Sequence, residues 1–427
     1  MIGLIIFLLF IVLMLAGVPI GVALMLAGSL GIGMADLGLM SIPNNFYAGL
    51  AKYPLLALPM FVLVGVVFDR SGVAERLVNF AIAILGRRPG MLPVVAIAVA
   101  MLLGGISGSG PANAAAVGGV MLMAMKRAGY PGGYSATVIG AAAATDILIP
   151  PSIAFIVYSV LVPGASVPAL LSAGLIPGVL AGLALMIPAV WLARRHGFGL
   201  AEANLPRPPF WPSFVGALWG LAAPVLILGG MRAGWFTPTE AAVVAVVYGL
   251  FVGMVVHRKI KPRDLLAIFV EAAETSGIIM VVLALASIFA YAVSTLGIVD
   301  PLARAIAASG LGSHATMAII MVLLLGIGMV LDGISIFLIF LPLLLPIMSN
   351  FAWDPVWFGV LLTYMVAIGQ FTPPMAVNLM VSSKLAGVPI EQTVRWAVWF
   401  VAAMLVLVVA FIAFPPLVTW LPGVLGY

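Results

Sequence analysis

The sequence contains no cysteine and few charged side chains. Without cysteine, the chain can form neither disulfide bonds nor metal sites with thiolate ligands. Lysine, arginine, aspartate and glutamate make up 7% of the residues, whereas a soluble domain carries about 25%. The histidines His196, His257 and His314 lie near the ends of predicted helices. They do not have the HExxH spacing of a zinc enzyme. The composition therefore excludes a water-soluble globular protein.

Apolar residues, by contrast, make up 64% of the chain. Almost every stretch of about 15–20 residues between turn signals is apolar, which predicts membrane-spanning helices. These stretches do not alternate with polar residues as the strands of a membrane β-barrel do. The first stretch, 1–16, has no basic start and no small-residue cleavage site, so we expect a retained span rather than a signal peptide. The net charge of +5 then reports orientation in the lipid bilayer, and no nucleic acid is expected as a partner.

Four landmarks of the first half recur in the same order 219 to 225 residues later. Each is a glycine or proline motif, and the pairs are Pro19 with Pro238, Gly72 with Gly297, Gly108 with Gly333, and Pro150-Pro151 with Pro373-Pro374. One such match is uninformative, but four in order indicate an internal repeat. The sequence therefore predicts two homologous halves, 1–205 and 206–427.

Each half predicts the same order of elements. Three spans are followed by a short charged helix, a helical hairpin, a span broken at a proline pair, and a closing span. In the first half these elements cover 2–16, 18–34, 55–69, 73–86, 91–126, 133–161 and 168–193; in the second they cover 211–230, 237–256, 276–295, 298–309, 315–349, 355–386 and 391–420. The charged helix is short enough to lie along the membrane surface. The glycine-rich turn of each hairpin predicts a re-entrant hairpin whose tip ends inside the membrane.

The number of crossings sets the orientation of the halves. Five crossings per half invert the second half relative to the first. If the N-terminus is outside, only Lys52, Arg232 and Arg304 of the 18 basic residues fall outside, which leaves 15 on the cytoplasmic face. Basic residues favour that face. The sequence thus predicts an all-α, multi-pass protein of the bacterial inner membrane, built from two inverted repeats.

Interrupted helices in matching positions of inverted repeats are typical of transporters with a midplane binding site. Broken helices expose carbonyl groups that bind Na⁺ and N-terminal N–H groups that bind a carboxylate. Four breaks occur, at the hairpin turns 104–113 and 332–335 and at the proline pairs 145–152 and 369–374. No arginine or lysine lies at a predicted midplane position, so we expect Na⁺ to provide the positive charge that an anionic substrate requires.

Residue type divides the candidates at these breaks into two sets. For an anionic substrate we expect hydroxyl and amide side chains: Ser109, Asn113, Ser152, Thr372 and Asn378. For Na⁺ we expect backbone, hydroxyl and carboxylate oxygens: Gly105, Ser107, Gly108, Thr145, Asp146, Asp332, Gly333, Ser335, Gly369 and Thr372. An acid at membrane depth is usually functional, although Asp146 and Asp332 could instead cap helices. For Glu240, which follows Thr237-Pro238-Thr239, capping is the expected role.

Five stretches resemble the large membrane subunit of the tripartite ATP-independent periplasmic (TRAP) transporters. They are Gly17-Val18-Pro19-Ile20, Ser107-Gly108-Ser109-Gly110-Pro111-Ala112-Asn113, Ile149-Pro150-Pro151-Ser152, Phe236-Thr237-Pro238-Thr239-Glu240-Ala241-Ala242 and Gly369-Gln370-Phe371-Thr372-Pro373-Pro374. They run through the whole chain, and their combination is specific.

The resemblance implies a fold, a coupling ion and partners. The fold is the elevator type of the ion-transporter superfamily, in which a transport domain of hairpins and broken helices slides against a scaffold, driven by Na⁺. No cofactor is expected besides this ion. The implied partners are a small four-span membrane subunit, a periplasmic binding protein, and a carboxylate such as a C4-dicarboxylate, sialic acid or a 2-oxo acid. Because the chain begins directly with its first span, we expect the small subunit to be a separate chain.

Three other functions are alternatives for a membrane protein of this composition. A stand-alone Na⁺/dicarboxylate symporter of similar fold would share the composition and the repeats. An ion channel could line a pore with broken helices, although channels usually form pores by oligomeric symmetry. An intramembrane enzyme would need a nucleophile with a base or a metal cluster, and the sequence shows neither.

Overall fold

The computed structural model describes residues 2–85, 89–162, 164–204, 208–297, 310, 312–331 and 333–427. Within these ranges the regular secondary structure is helical, and no β-strand occurs. The predicted all-α class is therefore confirmed. The two inverted repeats and the elevator architecture stay predictions.

The described residues of the first half form ten α-helices. They are α1 (Ile2–Leu15), α2 (Ile20–Met34), α3 (Ser41–Leu50), α4 (Ala57–Arg70), α5 (Val73–Leu85), α6 (Leu92–Ser107), α7 (Gly110–Arg127), α8 (Gly132–Ala143), α9 (Ile153–Leu161) and α10 (Val167–Arg195). Short 3₁₀ turns at Tyr53–Leu56 and Leu200–Asn204 precede α4 and follow α10.

The second half, in the part that the structure describes, continues with nine α-helices. They are α11 (Phe210–Arg232), α12 (Pro238–Phe251), α13 (Leu265–Thr295), α14 (Ser313–Gly328), α15 (Gly333–Asn350), α16 (Pro355–Gly369), α17 (Val377–Ala386), α18 (Glu391–Ala413) and α19 (Pro416–Leu425). A π-helical turn, Val252–Val256, extends α12, and a 3₁₀ turn, Pro262–Asp264, precedes α13.

Seven helical stretches in the described ranges are long and apolar enough to cross a membrane. They are Tyr53–Arg70, Val167–Arg195, Phe210–Arg232, Pro238–Val256, Pro262–Thr295, Gly333–Asn350 and Glu391–Ala413. Shorter apolar helices, among them most of α1 and all of α2, accompany them. Their number and composition make the chain a multi-pass membrane protein.

The two helices interrupted at proline pairs, α8–α9 and α16–α17, contain long buried stretches in their first parts. In α8 every residue from 133 to 143 is buried, and in α16 so is every residue from 357 to 369. Helix α17 packs against α8, and α7 packs against both. Small residues allow this approach: a Cβ added at Gly140 of α8 would lie 3.3 Å from the Cα of Leu379 in α17.

Each of these two helices is interrupted before a proline pair. Pro373 has no N–H to donate to the carbonyl of Gly369, where α16 ends, whereas α8 passes into tight turns after Ala143, ahead of Pro150. Helix α8 stops at Ala143, and α9 begins after Pro150-Pro151. Helix α16 stops at Gly369, and α17 begins after Pro373-Pro374. The peptide bond between the two prolines is cis in both pairs.

Helix α3 was not among the predicted elements. Its segment, Ser41–Leu50, contains a proline and two asparagines, so its sequence favours a loop. It forms because it packs against α13. There, the hydroxyl of Ser287 donates a hydrogen bond of 2.6 Å to the carbonyl of Asn45.

The predicted third span of the second half, 276–295, begins too late. Helix α13 begins at Leu265, eleven residues earlier, and it carries Glu271 and Glu274. The two acids and the basic residues before them favour a loop in water, which explains the late start of the predicted span. The carboxylate of Glu271 instead forms an ion pair with Arg70 of α4, which allows the helix to continue past its charges.

The predicted closing span 391–420 is also wrong at its end. Helix α18 stops at Ala413, and α19 begins separately at Pro416. Proline at 415 and 416 provides no N–H to continue the ladder of α18. The predicted charged helix 298–309 lies outside the described residues.

Candidate functional site

The first hairpin turns at a glycine that no other residue replaces easily. Helix α6 ends at Ser107, Gly108 has a φ of +65°, and α7 begins at Gly110. A positive φ strains a residue with a Cβ, and a Cβ at Gly108 would lie 3.0 Å from the carbonyl oxygen of Pro151. The hairpin tip therefore packs directly on the break between α8 and α9.

Two hydroxyl groups stabilise that break. The Ser152 hydroxyl donates to the carbonyl of Ile147 at 2.6 Å and accepts from the N–H of Phe155 at 3.4 Å, so Ser152 caps α9. The Thr145 hydroxyl donates to the carbonyl of Ala142 at 2.8 Å. Both hydroxyls hold the local backbone in place.

Asp146 and Asn113 form a buried pair behind the hairpin tip. The Asn113 amide donates to Oδ1 of Asp146 at 3.2 Å and to the carbonyl of Ala100 at 2.8 Å. Both side chains are fully buried. Oδ2 of Asp146 and Oδ1 of Asn113 have no hydrogen-bond partner. Buried oxygens normally have one, so these two are free to bind a ligand.

The second break carries a matching amide pair. The Asn378 amide donates to Oε1 of Gln370 at 3.2 Å, and Oδ1 of Asn378 has no partner. A Cβ added at Gly110 would lie 2.5 Å from Oε1 of Gln370 and 2.8 Å from Oδ1 of Asn378. The first turn of α7 is thus in close contact with the break of the opposite half. The Thr372 hydroxyl donates to the carbonyl of Ile368 at 2.6 Å.

A cavity of about 340 Å³ lies between these elements. Its border includes the first residue of four helices: Gly110 of α7, Ile153 of α9, Gly333 of α15 and Val377 of α17. The N-terminus of a helix carries a partial positive charge and free N–H groups. Four of them around one cavity favour an anion there.

Another part of the cavity wall carries two acidic residues. It is formed by α4 and α13 and includes Asp69, Glu271 and Thr275. Arg70 pairs with Glu271, yet among the described residues that line the cavity there is no lysine, arginine or histidine. The cavity therefore combines positive helix ends with carboxylates from this part of its wall.

The structure places some of the predicted site residues in the wall of the cavity and others outside that wall. Lining the cavity are Gly108, Ser109, Gly333 and Gly369. Buried near it, but not lining it, are Thr145, Asp146, Asn113, Ser152, Ser335 and Asn378, while Gly105 packs against Pro224 and Pro150. Asp332 lies outside the described residues. Ser107 is the last residue of α6.

Sequence reasoning missed Asp69, Glu271 and Gln370. Asp69-Arg70 at the end of a predicted span looks like an interfacial pair, and Glu271 fell in a predicted loop. Gln370 lies in one of the TRAP-like stretches, but its side chain was not predicted to bind the anion or Na⁺. The sequence signal that could have identified Asp69 and Glu271 is that each is an acid within an apolar stretch, that of α4 or that of α13.

The donor atoms in the site suit an alkali cation better than a transition metal. In the described part of the chain no three His, Asp or Glu side chains come together. At the two breaks the unpartnered atoms, on Asp146, Asn113 and Asn378, are carboxylate or amide oxygens. Hard oxygen ligands select hard cations.

Comparisons with known proteins agree with this architecture. The family model of the tripartite ATP-independent periplasmic transporter, DctM component, matches residues 7–417. The large permease protein DctM of a C4-dicarboxylate TRAP transporter from Pseudomonas aeruginosa is 35% identical over 88% of this chain and 87% of its own. The large permease YiaN of a 2,3-diketo-L-gulonate TRAP transporter from Escherichia coli is 34% identical over 94% of both chains.

Two further proteins are similar to this chain, one of them longer and the other similar mainly in fold. The isethionate TRAP permease DctMQ of Oleidesulfovibrio alaskensis is 36% identical over 93% of this chain, which spans 62% of that relative's length. The crystal structure of the Alcanivorax borkumensis YdaH transporter shares the fold, with a TM-score of 0.62 at 14% identity over 90% of each chain. On the match to the family model and the relatives above 30% identity, the chain belongs to the tripartite ATP-independent periplasmic transporter family, as one of its large membrane permease subunits.

Proposed function

We propose that this subunit forms the path of a Na⁺-driven importer of small organic anions in the bacterial inner membrane. Its relatives are named for C4-dicarboxylates, 2,3-diketo-L-gulonate, isethionate and sialic acid. Each of these solutes carries a carboxylate or sulfonate group. An anion is therefore the substrate class that the family relationship supports.

The observation that carries the proposal is the ring of helix N-termini around the cavity. Four helices from both halves begin there, at Gly110, Ile153, Gly333 and Val377. The side chain of Ser109, which precedes α7, accepts no hydrogen bond from the first turn. Pro111 has no N–H, and the N–H of Asn113 donates to the Ser109 carbonyl. Gly110 and Ala112 therefore provide the N–H groups that this turn offers. A carboxylate in the cavity would bind these N–H groups together with the Ser109 hydroxyl.

Na⁺ is expected to bind before the anion. Asp69 and Glu271 line the same cavity. Arg70 pairs with Glu271, so Asp69 is the lining acid that repels an anion without an ion-pair partner among the described residues. The unpartnered oxygens of Asp146, Asn113 and Asn378 lie close to the first turn of α7. Na⁺ bound at these oxygens would supply positive charge next to the carboxylate, which couples the two solutes.

Two partners complete the proposed transporter. A small four-span membrane subunit and a periplasmic binding protein that delivers the substrate fit the words tripartite and periplasmic in the family description. The hairpins α6–α7 and α14–α15, with the two broken helices, would move as one unit against a scaffold that includes α4 and α13. The cavity lies between these two groups of helices.

The test is uptake into proteoliposomes that contain this chain and its small membrane partner. Labelled C4-dicarboxylate and labelled sialic acid are offered with and without an inward Na⁺ gradient, and with and without the binding protein. Saturable uptake that needs both Na⁺ and the binding protein supports the proposal. Matched liposomes with an equal K⁺ gradient serve as the control.

The other outcomes each favour a different function. Na⁺-driven uptake without the binding protein would indicate a stand-alone symporter. Flux that rises linearly with solute concentration would indicate a channel. Uptake of equal rate in the K⁺ control would contradict Na⁺ coupling.

A further inference from the structure

The paired ends of α10 and α18 carry a cluster of basic and aromatic side chains that the transport path does not use. Trp191 contacts Trp399, with ring centroids 4.9 Å apart, and His196 contacts Trp396 at 5.2 Å. Later residues of α10 thus meet earlier residues of α18, so the helices run antiparallel. The last turn of α10 and the first turns of α18 therefore lie at the same end of the molecule.

Three guanidinium groups gather at this end without a carboxylate partner. Arg194, Arg195 and Arg395 are exposed, and in the described part of the chain none of them forms an ion pair. Arg195 stacks over the ring of Trp191 at 5.1 Å, and Arg395 over that of Trp396 at 4.6 Å. Stacking on an indole orients a guanidinium while leaving its N–H donors free.

An apolar groove on α10 begins directly beside Arg194 and Arg195. It is an open groove lined by Met186, Ile187, Val190, Trp191, Arg194 and Arg195. Ile187 is 71% exposed on a helix long and apolar enough to span the membrane. The groove therefore runs from a positively charged end along an apolar helix face.

We propose that this surface, the Arg194–Arg395 site, binds one anionic phospholipid. The phosphate binds the three guanidinium groups, and an acyl chain follows the groove on α10. Tryptophan is enriched at the level of lipid headgroups, which is where Trp191 and Trp399 place the site. Basic pockets between membrane helices on the cytoplasmic side bind anionic headgroups for the same electrostatic reason.

The features of the groove favour a lipid over other anions. Free phosphate would use the arginines but not the apolar groove. The general preference of basic residues for the cytoplasmic face explains arginines at a helix end. It does not explain why Arg195 stacks over Trp191, which borders the groove, or why Arg395 stacks over Trp396 of the adjacent helix. Glu391, in the first turn of α18, forms no ion pair with Arg395, which leaves this charge for a ligand.

The experiment is native mass spectrometry of the purified full-length protein with added phosphatidylglycerol or phosphatidylcholine of equal chain length. The triple variant Arg194→Gln/Arg195→Gln/Arg395→Gln is compared with a control that also loses three charges, Lys126→Gln/Arg127→Gln/Arg263→Gln. We expect the unaltered protein and the control to retain phosphatidylglycerol over phosphatidylcholine. Each arginine removed from the site should weaken retention roughly fivefold.

Three results would overturn the proposal. They are equal retention of both lipids by the unaltered protein, equal loss in the control variant, and displacement of the lipid by inorganic phosphate at the same concentration. If the triple variant unfolds in detergent, the single variants Arg194→Gln and Arg395→Gln provide the same test, each with an expected fivefold loss. A single variant that binds like the unaltered protein would count equally against the site.

Discussion

Asp146 is a fully buried carboxylate, and only one of its oxygens has a hydrogen-bond partner. The partner of Oδ1 is the amide of Asn113, whose own oxygen is also unpartnered. A buried acid with free ligand capacity is costly unless a ligand or proton completes it. This residue is therefore the sharpest test of the proposed Na⁺ site.

Asp146→Asn should weaken Na⁺ coupling without disrupting the fold. The substitution keeps the side-chain shape but removes the charge that would bind the cation. We expect the Na⁺ concentration for half-maximal uptake to rise on the order of tenfold, which corresponds to about 1.4 kcal/mol of Na⁺ binding. The control is Asp36→Asn, an exposed acid in the turn after α2. A Na⁺ dependence in Asp146→Asn equal to that of the control would rule out this ligand.

Gly369 shows how closely the second hairpin approaches the second broken helix. A Cβ added there would lie 2.5 Å from the carbonyl oxygen of Gly328 and 2.8 Å from its Cα. Backbone atoms cannot rotate away from such a clash as a side chain can. Gly326, two residues earlier in the same helix as Gly328, has open space around it.

Gly369→Ala should therefore destabilise the protein, and Gly326→Ala should not. We expect overpacking to cost about 1–3 kcal/mol in the first variant. In the second, alanine should add about 0.5–1 kcal/mol of stability because it loses less backbone entropy in a helix. Thermal unfolding in one detergent gives the comparison. Equal unfolding temperatures would show that α14 and α16 are not in backbone contact.

At the scale of elements, the linker between the halves closes the base of the first hairpin. Glu202, on the 3₁₀ turn after α10, is 4% exposed. Its carboxylate accepts from the N–H groups of Gly90, Met91 and Leu92, at 3.2, 3.2 and 3.4 Å, and from the Tyr130 hydroxyl. It thus caps the start of α6 from more than a hundred residues away. Burial, followed by the hydrogen bond to Glu202, raises the pKa of Tyr130 above its ordinary value, so the hydroxyl stays protonated and remains a donor.

Glu202→Ala should loosen the base of the hairpin. It leaves three backbone donors and one hydroxyl unsatisfied, and we expect a loss of roughly 2–3 kcal/mol of stability. Tyr130→Phe should cost about 1 kcal/mol, and the double variant should lose less than the sum because the two groups share one interaction. Hydrogen exchange at residues 90–92 is the direct readout. The control is Glu391→Ala, an exposed acid in the first turn of α18, and exchange equal to this control would contradict the cap.

At the scale of the whole molecule, the predicted orientation places the N-terminus outside. The absence of cysteine makes this directly measurable, since one introduced cysteine is the only thiol. Met40 and Leu200 suit the purpose because they are 71% and 72% exposed and lie on opposite predicted faces.

In intact spheroplasts, a membrane-impermeant maleimide should label Met40→Cys and should spare Leu200→Cys. After permeabilisation both positions should react, which also serves as the control for reactivity. The reverse pattern would invert the whole topology. Labelling of both positions before permeabilisation would place them on the same face. It would contradict the three predicted crossings between them, and with them the odd number of crossings per half.

The element order was largely predictable because it follows from local signals. Apolar stretches gave α1, α2 and α4, and proline pairs gave the breaks after α8 and α16. Helix α3 and the first eleven residues of α13 were missed because distant partners stabilise them. Ser287 donates to the backbone carbonyl of Asn45 in α3, and Arg70 pairs with the Glu271 carboxylate of α13. Local hydropathy contains no information about such partners.

The sequence by itself determined the membrane class, the all-α architecture, the family and the four segments that meet at the site. These follow from composition, from residues that cannot continue a helix, and from motifs read along the chain. Only the tertiary structure decided which side chains line the cavity. Asp69 and Glu271 are about two hundred residues apart and share one wall because α4 packs against α13. Gly110 meets Gln370 because α7 packs against α17. Such contacts depend on how whole helices pack, which no local pattern in the sequence specifies.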